Sequence, residues 1–162
     1  MTFNSDPKRD FLRHTLATLA YRGGKAVRNP PAGFAEFRGC ATGRSASQIL
    51  AHVGDLLDWG LSVARGKQTW KSSEPLAWDK ETARFFDALK NFDDYLASAE
   101  PLHAPPEKLL QAPLADALTH VGQIAMLRRM AGGPVKAENY FVADIVSGRV
   151  GPEQTASQQE FD

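Results

Sequence analysis

Two of the four histidines stand where an imidazole can do chemistry. His52 is followed by Asp55 three residues on and Trp59 seven residues on. On a helix these share a flank with it, at the border of an apolar arc running through Ile49, Val53 and Leu57. Asp116 and His120 are four apart, so on a helix their side chains stack, with Gln123 three residues beyond on the same stripe. That stripe also borders an apolar arc, formed by Leu114, Ala117, Val121 and Ile124. Brought together, His52, Asp116 and His120 make a two-histidine, one-carboxylate set, which leaves positions open on a divalent metal. Zinc, nickel, iron and manganese all suit these ligand types. The simpler reading is an Asp116–His120 ion pair worth a few tenths of a kcal/mol, with His52 half-buried and hydrogen-bonded. His14, at the edge of a helix, and His103, among prolines in a connection, read as surface residues. Cys40 is the single cysteine, so it forms neither an internal disulfide nor a cysteine metal cage.

The elements that must position these residues are helices. Asp6 and Pro7 are start signals for a first helix over Pro7–Arg22, carrying Leu12, Leu16 and Leu19, with Gly23 and Gly24 as its expected end. An irregular stretch over 24–44 follows, with Asn29-Pro30-Pro31 against helix and Phe34 and Phe37 to pin it to the core. Ser45 or Ser47 caps a second helix over Ser45–Arg65, stopped by Gly66. The connection Lys67–Ala77 is long enough for the third helix to run parallel to the second. Asp79 is the expected N-cap of that third helix, whose stripe is Phe85, Leu89, Phe92 and Leu96, and which ends before Pro101. A separate turn over Glu107–Gln111 precedes a fourth helix over Pro113–Ala131, because a proline is tolerated in the first turn and not in the interior. Gly132-Gly133-Pro134 ends it. A short helix is expected over Asn139–Ser147, then a polar, frayed tail over 151–162. The fold class is therefore all-α, a four-helix bundle with a short C-terminal appendage, one domain over 1–150 followed by the tail.

Composition sets outer limits. The chain has 162 residues, 43% of them apolar and 23% charged, which suits a single globular core. Lys plus Arg and Asp plus Glu are both 19, so there is no general electrostatic hold on nucleic acid or an anionic membrane. The basic residues are uneven: up to Gln48 there are eight basic and three acidic residues. No stacking platform or recognition motif accompanies them, so nucleic-acid binding ranks last. The polar run Met1–Arg9 is unlike a secretory leader and no apolar run approaches a membrane span, which gives a cytoplasmic expectation.

Two runs carry a family resemblance. Ile49-Leu-Ala-His-Val-Gly-Asp-Leu-Leu-Asp-Trp59 resembles the second helix of DinB-like proteins, where a metal-binding histidine comes early with an acidic residue three on. Asp116-Ala-Leu-Thr-His-Val-Gly-Gln-Ile-Ala-Met-Leu-Arg128 resembles their last bundle helix, whose pattern is His-x-x-x-His followed by x-Gly-Gln. The resemblance extends from the first helix to about Ala131, and the segment after Pro134 has no counterpart. It implies an up-down-down-up bundle with a divalent transition metal, zinc or nickel ahead of iron or manganese, on His52 and His120. Asp116 stands where the family has a histidine, a departure that adds charge and moves preference toward harder ions.

The resemblance implies two classes of function. One is a metal-dependent enzyme, a transferase or isomerase working through a metal-activated low-molecular-weight thiol, or a hydrolase working through water. In it His52, Asp116 and His120 are ligands, Asp55 orients His52 or acts as a base, Gln123 fixes a ligand or the substrate, and Trp59 walls the pocket. Tyr140, Arg128 and Arg149 are weaker candidates for an anionic substrate, the arginine near the helix C-terminus also suiting the helix dipole. The other class is a non-catalytic, dimeric small-molecule-binding or stress-associated bundle with a vestigial metal site. Both imply a homodimer.

Overall fold

Asp6 opens the first helix as its N-cap, its side chain accepting the Lys8 N–H at 3.0 Å, with Pro7 in the first turn. The structure is a computed structural model and describes residues 6–161; the first residues of the polar run from Met1 and the last residue of the tail lie outside the described residues. Helix α1 covers Pro7–Val27, five residues past the end expected at Arg22. Gly23 and Gly24 are interior to it. Gly23 is required by packing: a Cβ there would sit 2.5 Å from Cζ of the fully buried Phe85. At Gly24 the nearest atom, on Phe86, would be 3.4 Å away, an ordinary contact. Gly23→Ala is therefore expected to destabilise by about 1–2 kcal/mol, overpacking outweighing the gain in helix propensity. Gly24→Ala is expected to be neutral or stabilising, and urea denaturation of the two variants side by side measures the contrast.

The chain then runs irregularly to Ser45, so the loop begins after α1 and not at residue 24. It carries a 3₁₀ turn at Phe34–Glu36, and Phe34 is buried edge-on to Trp78. Helix α2, Ala46–Ala64, opens with a capping box. Ser45 Oγ accepts the Gln48 N–H at 3.3 Å and Gln48 Oε1 accepts the Ser45 N–H at 2.9 Å. Helix α3 is Trp78–Ala97. Asp79 lies inside it, and Ala77 occupies the cap position without a side-chain cap. Glu81 Oε2 instead accepts the Leu76 N–H at 2.9 Å, which fixes the entry. A short α4, Pro106–Leu109, passes through a π turn, Leu110–Leu114, into α5, Ala115–Met130. Pro113 thus lies within the wider π turn and does not begin the helix; such a turn relieves the clash a proline makes in an α-helix. Its ring packs at Gly60 of α2, where a Cβ would come within 3.0 Å. Gly132, at φ 78°, ends α5.

The described residues are all-helical, without named strands. α2 packs against α3 and α5, and α1 packs against α3 and α5, around one apolar core. The helix ends meet in a definite way. Arg9 near the start of α1 donates to the Leu96 and Ser98 carbonyls at the end of α3, and Trp78 at the start of α3 donates to Val27 O at the end of α1. Tyr95 Oη donates to Pro101 O at 2.6 Å and lies 3.4 Å from Ala64 O, which brings the last turns of α3 and α2 together. Arg128 is buried near the end of α5 and donates to the Ala26, Arg28, Asn29 and Gly133 carbonyls.

The C-terminal segment departs most from expectation. Residues 139–147 form turns and no helix, because Asn139 Oδ1 takes the Phe141 N–H at 3.1 Å and closes a local turn in its place. The polar tail is docked, not frayed. Asn139 N–H donates to Gln159 O and Phe161 N–H to Ala137 O. Glu138, its side chain wholly buried, accepts from Tyr21 Oη at 2.5 Å, Lys25 Nζ at 2.8 Å and Ser157 Oγ at 3.1 Å. Burial opposes ionisation of Glu138, but those three bonds outweigh it and hold its pKa below the ordinary 4.5. A depressed folded pKa stabilises above the unfolded value and stops doing so as pH falls through the folded one. Glu138→Gln is expected to cost about 2 kcal/mol at neutral pH. That difference should shrink steadily below about pH 4.5, as thermal denaturation of both proteins across pH 3–7 would register.

Candidate metal centre

His52 lies in the second turn of α2, and Asp116 and His120 in the first two turns of α5. The α2–α5 packing brings the three together, with one ligand atom from each all within 4.8 Å of one another. The imidazoles meet edge to face with centroids 4.7 Å apart. Asp116 spans them: Oδ1 is 3.1 Å from His120 Nδ1 and Oδ2 is 3.9 Å from His52 Nε2. The side chains of His52 and His120 are 21% and 14% exposed and that of Asp116 is 45% exposed, so the cluster is half-buried with the carboxylate on the solvent side.

His120 Nδ1 also lies 2.8 Å from the Asp116 carbonyl oxygen. A carbonyl only accepts, so Nδ1 is the donor in this contact. A backbone bond of this kind orients metal-ligating histidines. Burial first, then the charges of His120 and Arg44, hold the His52 imidazole below its ordinary 6.5, against the opposing pull of Asp116 and Asp55. His52 is thus neutral at pH 7, the form that donates to a metal. Two imidazoles and a carboxylate, with at least one side toward solvent, fit a divalent ion with open positions, and the group His52–Asp116–His120 could hold one.

Asp55, expected to orient His52, has other partners. It is buried, 2.5 Å from Arg84 Nη2 of α3, and accepts the Ser73 N–H at 2.8 Å, although it lines the same cavity as His52. Arg84 also pairs with the buried Glu81 at 3.1 Å and with Asp58 at 3.2 Å. Asp55 therefore ties the 65–77 connection to α2. That connection lays Trp70 edge-on against both His52, at 5.8 Å, and Trp59, at 6.0 Å. Gln123 is exposed and makes no side-chain hydrogen bond among the described residues.

Two cavities adjoin the cluster. One, of about 500 Å³, is walled by Trp59, Leu56, Gln111 and Thr119 and reaches Asp116. The other, of about 190 Å³, is polar and is lined by Arg44, Gln48, His52, Ser73 and Glu74. Trp59 is thus where a pocket wall was expected. His14 and His103 are exposed, as is Cys40. Arg128 is consumed by backbone carbonyls, Arg149 pairs with Asp144 at 3.0 Å, and Tyr140 lies under Arg22. Sequence reasoning missed Arg44, Trp70 and Arg84. Periodicity gives no signal for the first two, which are in connections, and Arg84 looks like any charged helix residue.

No family model, curated protein or solved structure matches the chain. Fold and site therefore define an all-helical protein with a two-histidine, one-carboxylate cluster between two of its helices.

Proposed function

We propose that this is a DinB-like four-helix bundle that holds one divalent transition metal on His52, Asp116 and His120 and works as a metal-dependent enzyme. The up-down-down-up order is supported by the helix ends that meet: α1 start with α3 end, α3 end with α2 end, and α5 end with α1 end. The observation that carries the metal reading is the convergence of three ligand atoms within 4.8 Å, with His120 Nδ1 already satisfied by backbone. When bound, the ion supplies Lewis acidity that makes a thiol or water anionic near neutral pH. The chain's own part is to hold His52 neutral, to keep Trp70 and Trp59 against the site, and to brace that connection through Asp55, Ser73 and Arg84. A low-molecular-weight thiol as co-substrate, a transferase or isomerase reaction, homodimerisation and a cytoplasmic location belong to this reading. No helix of the described residues is long and apolar enough to cross a membrane.

The alternative, a binding protein with a vestigial site, is favoured by one contact: Asp116 Oδ1 lies 3.1 Å from His120 Nδ1, so the two side chains can satisfy each other as a simple pair. Metal analysis of untagged protein purified without chelator separates the two. Close to one transition metal per chain is expected. No metal, and no uptake from added zinc, nickel or manganese, sinks the enzyme reading.

A further inference from the structure

Arg44 is the last residue before the Ser45 cap of α2, in a loop held at both ends. Arg38 donates to Gly43 O at 2.7 Å and to Gln48 Oε1 at 3.1 Å, and the capping box holds Ser45 itself. The backbone that carries Arg44 is thus fixed, yet its guanidinium has no ion pair or hydrogen bond among the described residues. It lines the cavity of about 190 Å³ that ends on His52. Of the acidic groups of that cavity, Asp55 is taken by Arg84 and the Ser73 N–H, and Glu74 shares the wall with Arg44 without an ion pair to it. A divalent ion on two neutral imidazoles and one carboxylate keeps a net positive charge. The cavity then joins two cationic points through a polar space the size of about six water molecules. Arginine presents a planar fork suited to a carboxylate.

We propose that this cavity takes the carboxylate of a short-chain substrate whose other donor atom reaches the metal, with Arg44 as the residue that selects it. Glu74 on the same wall disfavours a second negative charge, so the class is a small monocarboxylate. This rests on the metal reading above.

Mercaptoacetate and mercaptoacetamide test it, being alike in size and thiol and different in charge. Each is titrated into Co²⁺-loaded protein, where thiolate ligation gives a charge-transfer band. Mercaptoacetate is expected to bind at least about tenfold more tightly, and Arg44→Ala to bring the two within about twofold while still taking up Co²⁺. Equal affinity in the native protein, or a preference that survives Arg44→Ala, overturns the role of Arg44 and leaves the metal reading intact. Failure of the native protein to bind Co²⁺ overturns both.

Discussion

Arg84→Met is expected to lower the unfolding free energy by about 3–5 kcal/mol, the usual cost of stranding a buried charge. Arg84 is the only cation within ion-pair distance of Asp55 and Glu81 among the described residues, and both carboxylates are buried. Each keeps one backbone donor, from Ser73 and Leu76 respectively, which places the loss toward the lower end of that range. The guanidinium also lies across Gly54, where a Cβ would be 3.0 Å from Arg84 Cζ, and donates to Ala51 O at 3.2 Å. Methionine fills part of that space but leaves the charges. Arg84→Lys keeps one positive charge without the fork, so an intermediate loss is expected. Urea denaturation gives the magnitudes, and a loss under about 1 kcal/mol for the methionine variant would show that water compensates the carboxylates. Because Asp55 anchors Ser73, the fluorescence of Trp70 should also move toward that of an exposed indole.

His120→Ala is expected to weaken binding of zinc or nickel by about 100-fold or more, beyond what is typical of losing a group that merely supports a ligand. Removing the ring deletes one of three donors and also the partner of Asp116 Oδ1. Asp116→Asn is the informative companion. It keeps an oxygen in place and removes the charge, so a smaller loss of about tenfold is expected, with hard ions such as manganese suffering more than zinc. Titration with a competing chromophoric chelator measures both. Since His52 is held below 6.5, it should not compete through protonation at neutral pH. Native-like affinity in His120→Ala would mean the ion sits elsewhere.

The long helices and the convergence of His52, Asp116 and His120 were legible in the sequence for one reason. Helical periodicity places His52, Asp116 and His120 on the borders of apolar arcs, and such borders are where helices meet. Start signals were equally local: Asp6 with Pro7 and Ser45 with Gln48 cap their helices by contacts within three residues. Signals that depend on a distant partner were misread. Gly23 and Gly24 look like a stop, and only the approach of Phe85, some sixty residues on, shows that the first is there for close packing. Asp79 is a good cap by type, but the cap falls two residues earlier, at Ala77, with Trp78 reaching back to Val27. Pro113 reads as a first helical residue, yet a π turn carries the helix through it, its ring against Gly60.

The polar tail makes the same point through electrostatics. Its composition describes a solvated segment, and nothing local reveals that Glu138 will be buried with Tyr21, Lys25 and Ser157. Tertiary structure likewise decided the role of Asp55, three residues from His52 yet drawn to Arg84. The sequence by itself determined which residues lie on the inner faces of the helices, because spacing of 3.6 residues per turn is a property of the chain alone. Which charges face one another across those faces was settled only when the helices packed, since a charge takes whichever partner the fold brings within a few ångströms.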